Sequence, residues 1–146
     1  MEKQIVRPIV TFTSEQIDFQ LDKVESVTNW LLNIAKVELR TVAQLEYIFC
    51  SDNYLLEVNK QYLDHDYFTD IITFPLQDSP LEATIMISIE RVRENAKIYK
   101  ATFSNELHRV MVHGLLHLLD YKDSTNEEKK QMRTKENDCL AQRIFV

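Results

Sequence analysis

Between Leu107 and Leu119 the chain is apolar at Leu107, Val110, Met111, Val112, Leu115, Leu116, Leu118 and Leu119. A helix that is apolar almost all round has to be buried, so the fold must be built around this segment. Its one polar stripe must then face something polar. At about 100° per residue that stripe consists of Glu106, Arg109, His113 and His117.

A central helix needs other elements to bury it. Ile5 to Phe12 reads as a strand, with Pro8 pointing to a sheet edge. Val24, Val27, Leu31 and Ile34 recur at helical spacing and predict a helix over 22–37. Leu45 to Cys50 reads as a second strand, followed by a helix from about Asp52, its expected N-cap, to Tyr62. The polar and aromatic stretch Leu63 to Thr69 reads as a loop, and Asp70 to Phe74 as a strand stopped by Pro75. Ile85, Ile87 and Ile89 alternate with Met86 and Ser88 and mark another strand. Helices are predicted at about 90–100, 104–119 and 126–143, the last opened by a capping box of Thr125 and Glu128. The order predicts an α+β fold: a small mixed β-sheet packed with about five α-helices, in one domain over residues 1–146.

His113 and His117, one turn apart, can each give a nitrogen to one metal ion. A hydrolytic zinc site takes three protein ligands and leaves a fourth position for water. Asp123, six residues past His117 and beyond the expected helix end, is the third candidate. To bring it back, a residue near position 120 should leave the helix through a left-handed conformation, which aspartate tolerates better than most. Two hydrogen-bonded buried histidines and an unconnected Asp123 are the plain alternative.

Gly114 is the chain's only glycine, at about 1 kcal/mol of helix propensity relative to alanine. It stands where HExxH metalloproteases carry their glutamate base, which disfavours peptide hydrolysis. The space it opens either admits a substrate group beside the metal or lets the helix pack closely on a neighbour.

Two blocks of residues resemble one family. His113, Gly114, Leu116, His117, Leu118 and Tyr121 follow the pattern HGxLHLxGYDH, and Asn59, Tyr62, Asp66, Thr69, Asp70, Ile72 and Phe74-Pro75 follow a second block at the expected separation. In both, the chain resembles the YbeY family of bacterial metal-dependent endoribonucleases. The resemblance implies an α+β fold, one Zn(2+) per chain on three side chains, single-stranded RNA as substrate, and work in 16S ribosomal RNA 3′-end maturation and ribosome quality control. The chain departs from the pattern at Asp123 for the third histidine, Leu63 for a phosphate-holding arginine, Asp120 for a glycine, and Ala83-Thr84 for Gly-Asp. A carboxylate ligand suits zinc but makes the ion's water less acidic and favours harder metals.

The net charge of −6 argues at first against a polyanionic partner. However, residues 1–90 carry 6 basic and 15 acidic groups, whereas 91–146 carry 11 basic and 8 acidic. The histidines lie in this basic third, and local potential decides what enters a cleft. RNA is expected in a groove between the histidine helix and the Leu63–Thr69 loop. Arg91, Arg93, Lys97, Lys100 and Arg109 would guide it, and His65 would partly replace the missing arginine. A Glu106–Arg109 pair is the structural alternative for Arg109. No residue stands out as a general base, which leaves activation of water to the metal. A non-catalytic ribosome-assembly factor with a structural metal, and a zinc peptidase-like hydrolase, are the competing readings.

No apolar run approaches the ~20 residues of a membrane helix, and the N-terminus lacks the plan of a signal peptide. Cys50 and Cys139 form no CxxC motif, and Cys50 is expected to be a buried reduced thiol. These features together predict a cytoplasmic protein.

Overall fold

The computed structural model describes residues 7–146. The first two positions of the expected N-terminal strand, Ile5 and Val6, lie outside them. The strand itself, β1, spans Ile9–Glu15. It is followed by α1 (Val24–Val37), β2 (Val42–Cys50), α2 (Asp52–Leu63), β3 (Ile71–Gln77) and β4 (Leu81–Ser88). Three helices complete the fold: α3 (Ile89–Ile98), α4 (Phe103–Leu118) and α5 (Asn126–Ala141). The fold is α+β, as the sequence predicts. The strands form one mixed sheet in the order β1-β2-β4-β3, with β3 antiparallel to β4 and the other pairs parallel. The Pro8-flanked β1 lies at a sheet edge.

Alternation along the strands assigns the two faces of the sheet. Leu45, Tyr47 and Phe49 of β2 and Ala83, Ile85 and Ile87 of β4 enter the main core, with side chains from α1, α3, α4 and α5. Cys50, Ile72 and Met86 point to the other face, where Leu55 of α2 covers them. Helix α4 is held on the sheet by Tyr47, whose buried hydroxyl donates to the Met111 carbonyl at 2.9 Å. Trp30 of α1 donates to the Cys139 carbonyl at 2.9 Å and so ties α5 into the same layer.

Some boundaries differ from expectation. Ser51, not Asp52, caps α2: its hydroxyl accepts from the Tyr54 N–H at 3.1 Å, and Asp52 occupies the first turn. Strand β3 does not stop at Pro75 but runs to Gln77. It is an edge strand with an irregular register between Pro75 and Gln77, so the missing N–H of proline is tolerated. Strand β4 starts earlier, at Leu81, and Ile89 opens α3 under a Ser88 cap instead of ending the strand. The capping box of α5 is present in both directions, through Thr125 and Glu128.

Gly114 answers a packing need. A Cβ there would stand 2.7 Å from Ile71 Cδ1 and 3.1 Å from Ile85 Cγ2. The space is filled by β3 and β4, so it is not open to a substrate group, and the glycine lets α4 lie close on the sheet.

Candidate metal centre

His113 and His117 present adjacent turns of α4, which ends at Leu118. The helix stops because Asp120 takes a left-handed conformation, φ 75°, as expected near this position. The Tyr121 N–H then donates back to the Leu116 carbonyl at 3.0 Å, closing a Schellman-type turn that reverses the chain. The reversal brings Asp123 over the helix. Its Oδ2 lies 3.4 Å from His113 Nε2 and 3.3 Å from His117 Nε2, and the two Nε2 atoms are 3.0 Å apart.

These three atoms fit a metal ion. A tetrahedron with arms of ~2.0–2.1 Å, the zinc–nitrogen distance, has edges of roughly 3.3–3.4 Å. The rest of each ring is tied back. His113 Nδ1 donates to Glu136 Oε2 at 2.6 Å, and His117 Nδ1 donates to the Tyr121 carbonyl at 3.1 Å. A carboxylate and a carbonyl only accept, so both rings carry their proton on Nδ1 and turn a lone pair inward from Nε2. Two lone pairs and a carboxylate oxygen converging within hydrogen-bond distance repel one another unless a proton or a metal ion lies between them. Among the described residues, His113, His117 and Asp123 are the one grouping of three such donors that could hold a metal ion.

Glu136 organises the site from α5. Its other oxygen accepts from Arg109 at 3.0 Å, and Arg109 also donates to Asn137 at 2.8 Å. Burial alone would raise the Glu136 carboxyl, but His113 and Arg109 outweigh it and hold the group below the usual carboxylate range. For His113, burial opposes the charged form, yet Glu136, Asp123 and Asp70 hold the imidazole above its ordinary value. Asp70 and Glu106 are shifted upward, in both cases chiefly by burial.

Two clefts flank the three donors. One, of about 260 Å³, is lined by His113, Asp123, Asp70, Glu106, Arg109 and Arg133, among others. The second, of about 370 Å³, takes His117, Asp120 and the β3 residues Thr73 and Gln77.

A chain with paired α4 histidines, a left-handed exit and a returning carboxylate on this sheet is matched by the family model described as Endoribonuclease YbeY over residues 9–143. The chain belongs to the YbeY family. A protein of Cytophaga hutchinsonii named Endoribonuclease YbeY is 48% identical over 138 residues, which is 93% of this chain and 96% of that one. The Bacteroides thetaiotaomicron protein of the same name is 42% identical, over 92% of this chain and 98% of its own. The fold resembles that of TM1509 from Thermotoga maritima, solved in solution, with a TM-score of 0.63 and 27% identity. That match covers 90% of this chain and 87% of the other.

The YbeY-like blocks divide in space. Asp70 from the second block reaches the cleft, while buried Asn59 donates to the Tyr67 carbonyl at 2.9 Å and pins the α2–β3 loop. Arg109 lines the metal cleft but is paired with Glu136, and the alternative Glu106–Arg109 pair is not formed. Arg91 and His65 do not line either cleft. Arg91 pairs with Asp52 at 2.7 Å and lies over the Phe68 ring, and His65 shares a 3.0 Å hydrogen bond with Tyr67 on an exposed loop. Arg93 lies over the Phe103 ring. Sequence reading missed Glu136, Lys129 and Arg133. Glu136 did leave a signal: Met132, Glu136 and Cys139 make the inward stripe of α5, and a carboxylate on such a stripe needs a partner.

Proposed function

We propose that this chain is a metal-dependent endoribonuclease that cuts single-stranded RNA with one zinc ion per chain, held by His113, His117 and Asp123. We place it in 16S ribosomal RNA 3′-end maturation and ribosome quality control in the cytoplasm, working as a single domain over 1–146. The relatives named Endoribonuclease YbeY, matched over nine-tenths of the chain, support the reaction class. The carrying observation is the triangle of His113 Nε2, His117 Nε2 and Asp123 Oδ2, with both opposite ring nitrogens already engaged.

Zinc bound there would supply Lewis-acid polarisation of a phosphoryl oxygen and a water of lowered pKa. The protein does the rest. Glu136 and the Tyr121 carbonyl hold both imidazoles in one tautomer and orientation, the usual task of groups behind metal-bound histidines. Lys129 and Arg133 bring positive charge to the cleft beside His113, and Arg109 is braced there by Glu136. The negative charge of Asp123 lowers the Lewis acidity at the site and widens the range of acceptable ions towards harder metals.

Metal analysis of the purified protein, coupled to RNA cleavage with and without chelator, tests the reading. In His117→Ala both metal retention and cleavage should be lost. Cleavage persisting in metal-free His117→Ala protein would refute it.

One observation favours a second reading. Leu63, where the family resemblance implies a phosphate-holding arginine, ends α2 as a half-exposed apolar side chain. A non-catalytic assembly factor would co-sediment with ribosomes yet show no metal-dependent cleavage when pure. A peptidase reading lacks the helix carboxylate that Gly114 replaces.

A further inference from the structure

Glu106 stands out among the groups around the metal cleft. It lies on α4 two turns before His113 on the same face, and the residue is only 6% exposed. Among the described residues, no hydrogen bond or ion pair engages its carboxylate. Arg109, one turn along, forks onto Glu136 and Asn137 instead. The carboxylate oxygens of Glu106 reach the solvent of the cleft, where an N–H donor can meet them. The residue faces the cleft that also holds His113 and Asp123, and a second cleft of about 300 Å³ that continues past Arg143. Tyr99, which is 62% exposed, lines both clefts beside it.

We propose that this wall is a guanine-binding subsite, in which Glu106 accepts the N1–H and N2–H of a base flanking the cut bond and Tyr99 stacks on the face of that base. The proposal rests on the RNA-cleaving reading above. Glu106 and Asp70 set two carboxylates in a cleft that Arg109, Lys129 and Arg133 also line, and Arg109 is already engaged, so the carboxylate of Glu106 is open to N–H donors. A second metal ion is not indicated, because Glu106 and Asp70 belong to no three-donor grouping among the described residues. Among RNA bases, only guanine presents two adjacent N–H donors to match the two oxygens of a carboxylate. Adenine and cytosine set an acceptor beside their amino group, and uracil sets two around its one N–H, so each brings a lone pair against the carboxylate. Asn95, on the same wall and held to Asp70 only at 3.5 Å, has an amide available for the guanine O6. Seven residues of helix separate Glu106 from His113 by about 10 Å along the axis. That distance places a neighbouring base, not the reacting phosphate, at Glu106. Aromatic stacking with edge recognition is how proteins read unpaired RNA bases.

Short single-stranded ribo-oligomers that differ at one position, carrying guanine, inosine or adenine, provide the test. Binding to the full chain after chelation is read by fluorescence anisotropy, and cut sites are mapped on the protein as purified. Inosine keeps N1–H and lacks the 2-amino group. The wild-type protein should prefer guanine over inosine by about tenfold, the scale of one charge-assisted hydrogen bond, and over adenine by more. In Glu106→Gln the guanine-to-inosine ratio should collapse towards one, and Tyr99→Ala should weaken every oligomer several-fold. Equal affinity of wild-type protein for the three oligomers, with cleavage intact and indifferent to the flanking base, overturns the subsite alone. The same holds if a guanine preference survives in Glu106→Gln. If no oligomer binds and none is cut, the RNA-cleaving reading fails and takes the subsite with it.

Discussion

Each histidine of the candidate centre uses both ring nitrogens, one turned towards the shared point and one anchored behind it, and this leaves little freedom for any other role. His108 shows the contrast. It lies on α4 off the His113–His117 stripe, buried against Trp30 and Phe145, and accepts from Arg143 at 2.7 Å. Burial, with Arg143 and Lys23 nearby, lowers its pKa to about 4. The unfolded chain takes up this proton near 6.5, so between those values it binds more protons than the folded chain. The stability due to neutral His108 is therefore whole above about 6.5 and is lost as pH falls towards 4. Denaturant unfolding of chelated protein should show a loss of about 1–3 kcal/mol over that window, flattened in His108→Gln. At Gly114, helix propensity and packing disagree. Alanine would gain about 1 kcal/mol of propensity, but its methyl group meets Ile71 and Ile85. Gly114→Ala should lose up to about 2 kcal/mol net in urea unfolding, the overpacking cost of about 1–3 kcal/mol less the propensity gain.

Among the elements, α4 was the most legible, since an apolar surface all round leaves no other placement. Its exit was legible too: Asp120 is left-handed although a glycine would be the ordinary choice. Boundaries set by hydrogen bonds to neighbours were less so. Ser51 and Asp52 are both good caps, and only the geometry of the strand end chose Ser51. Pro75 reads as a stop, yet an edge strand accommodates it. Helix α5 shows how one element serves another. Removing the Glu136 side chain would leave Arg109 and His113 without their partner. Glu136→Ala should cost about 3–5 kcal/mol of stability in the chelated protein. In the folded variant, metal affinity should fall about 10–100-fold, as read by competition with a chromogenic chelator.

Across the whole molecule, the charge imbalance between residues 1–90 and 91–146 has a spatial meaning: Arg109, Lys129, Arg133 and Arg143 all line clefts beside or beyond the histidines. Leu63 shows what this chain lacks. If the position meets the RNA backbone, Leu63→Arg should tighten binding at low salt and steepen the plot of log affinity against log salt by about 0.7, the single-strand value per phosphate contact. An unchanged slope would place Leu63 off the RNA path. From the sequence alone came the α+β order of elements, the central helix and the three metal-binding candidates, because periodicity, spacing and turn chemistry are local properties written along the chain. Tertiary structure alone decided that Gly114 faces β3 and β4, that Arg109 is spoken for by Glu136, and that Glu106 is left without a partner at the cleft. Those outcomes depend on which distant side chains arrive at a point, and no spacing along one chain specifies the approach of a different helix or strand.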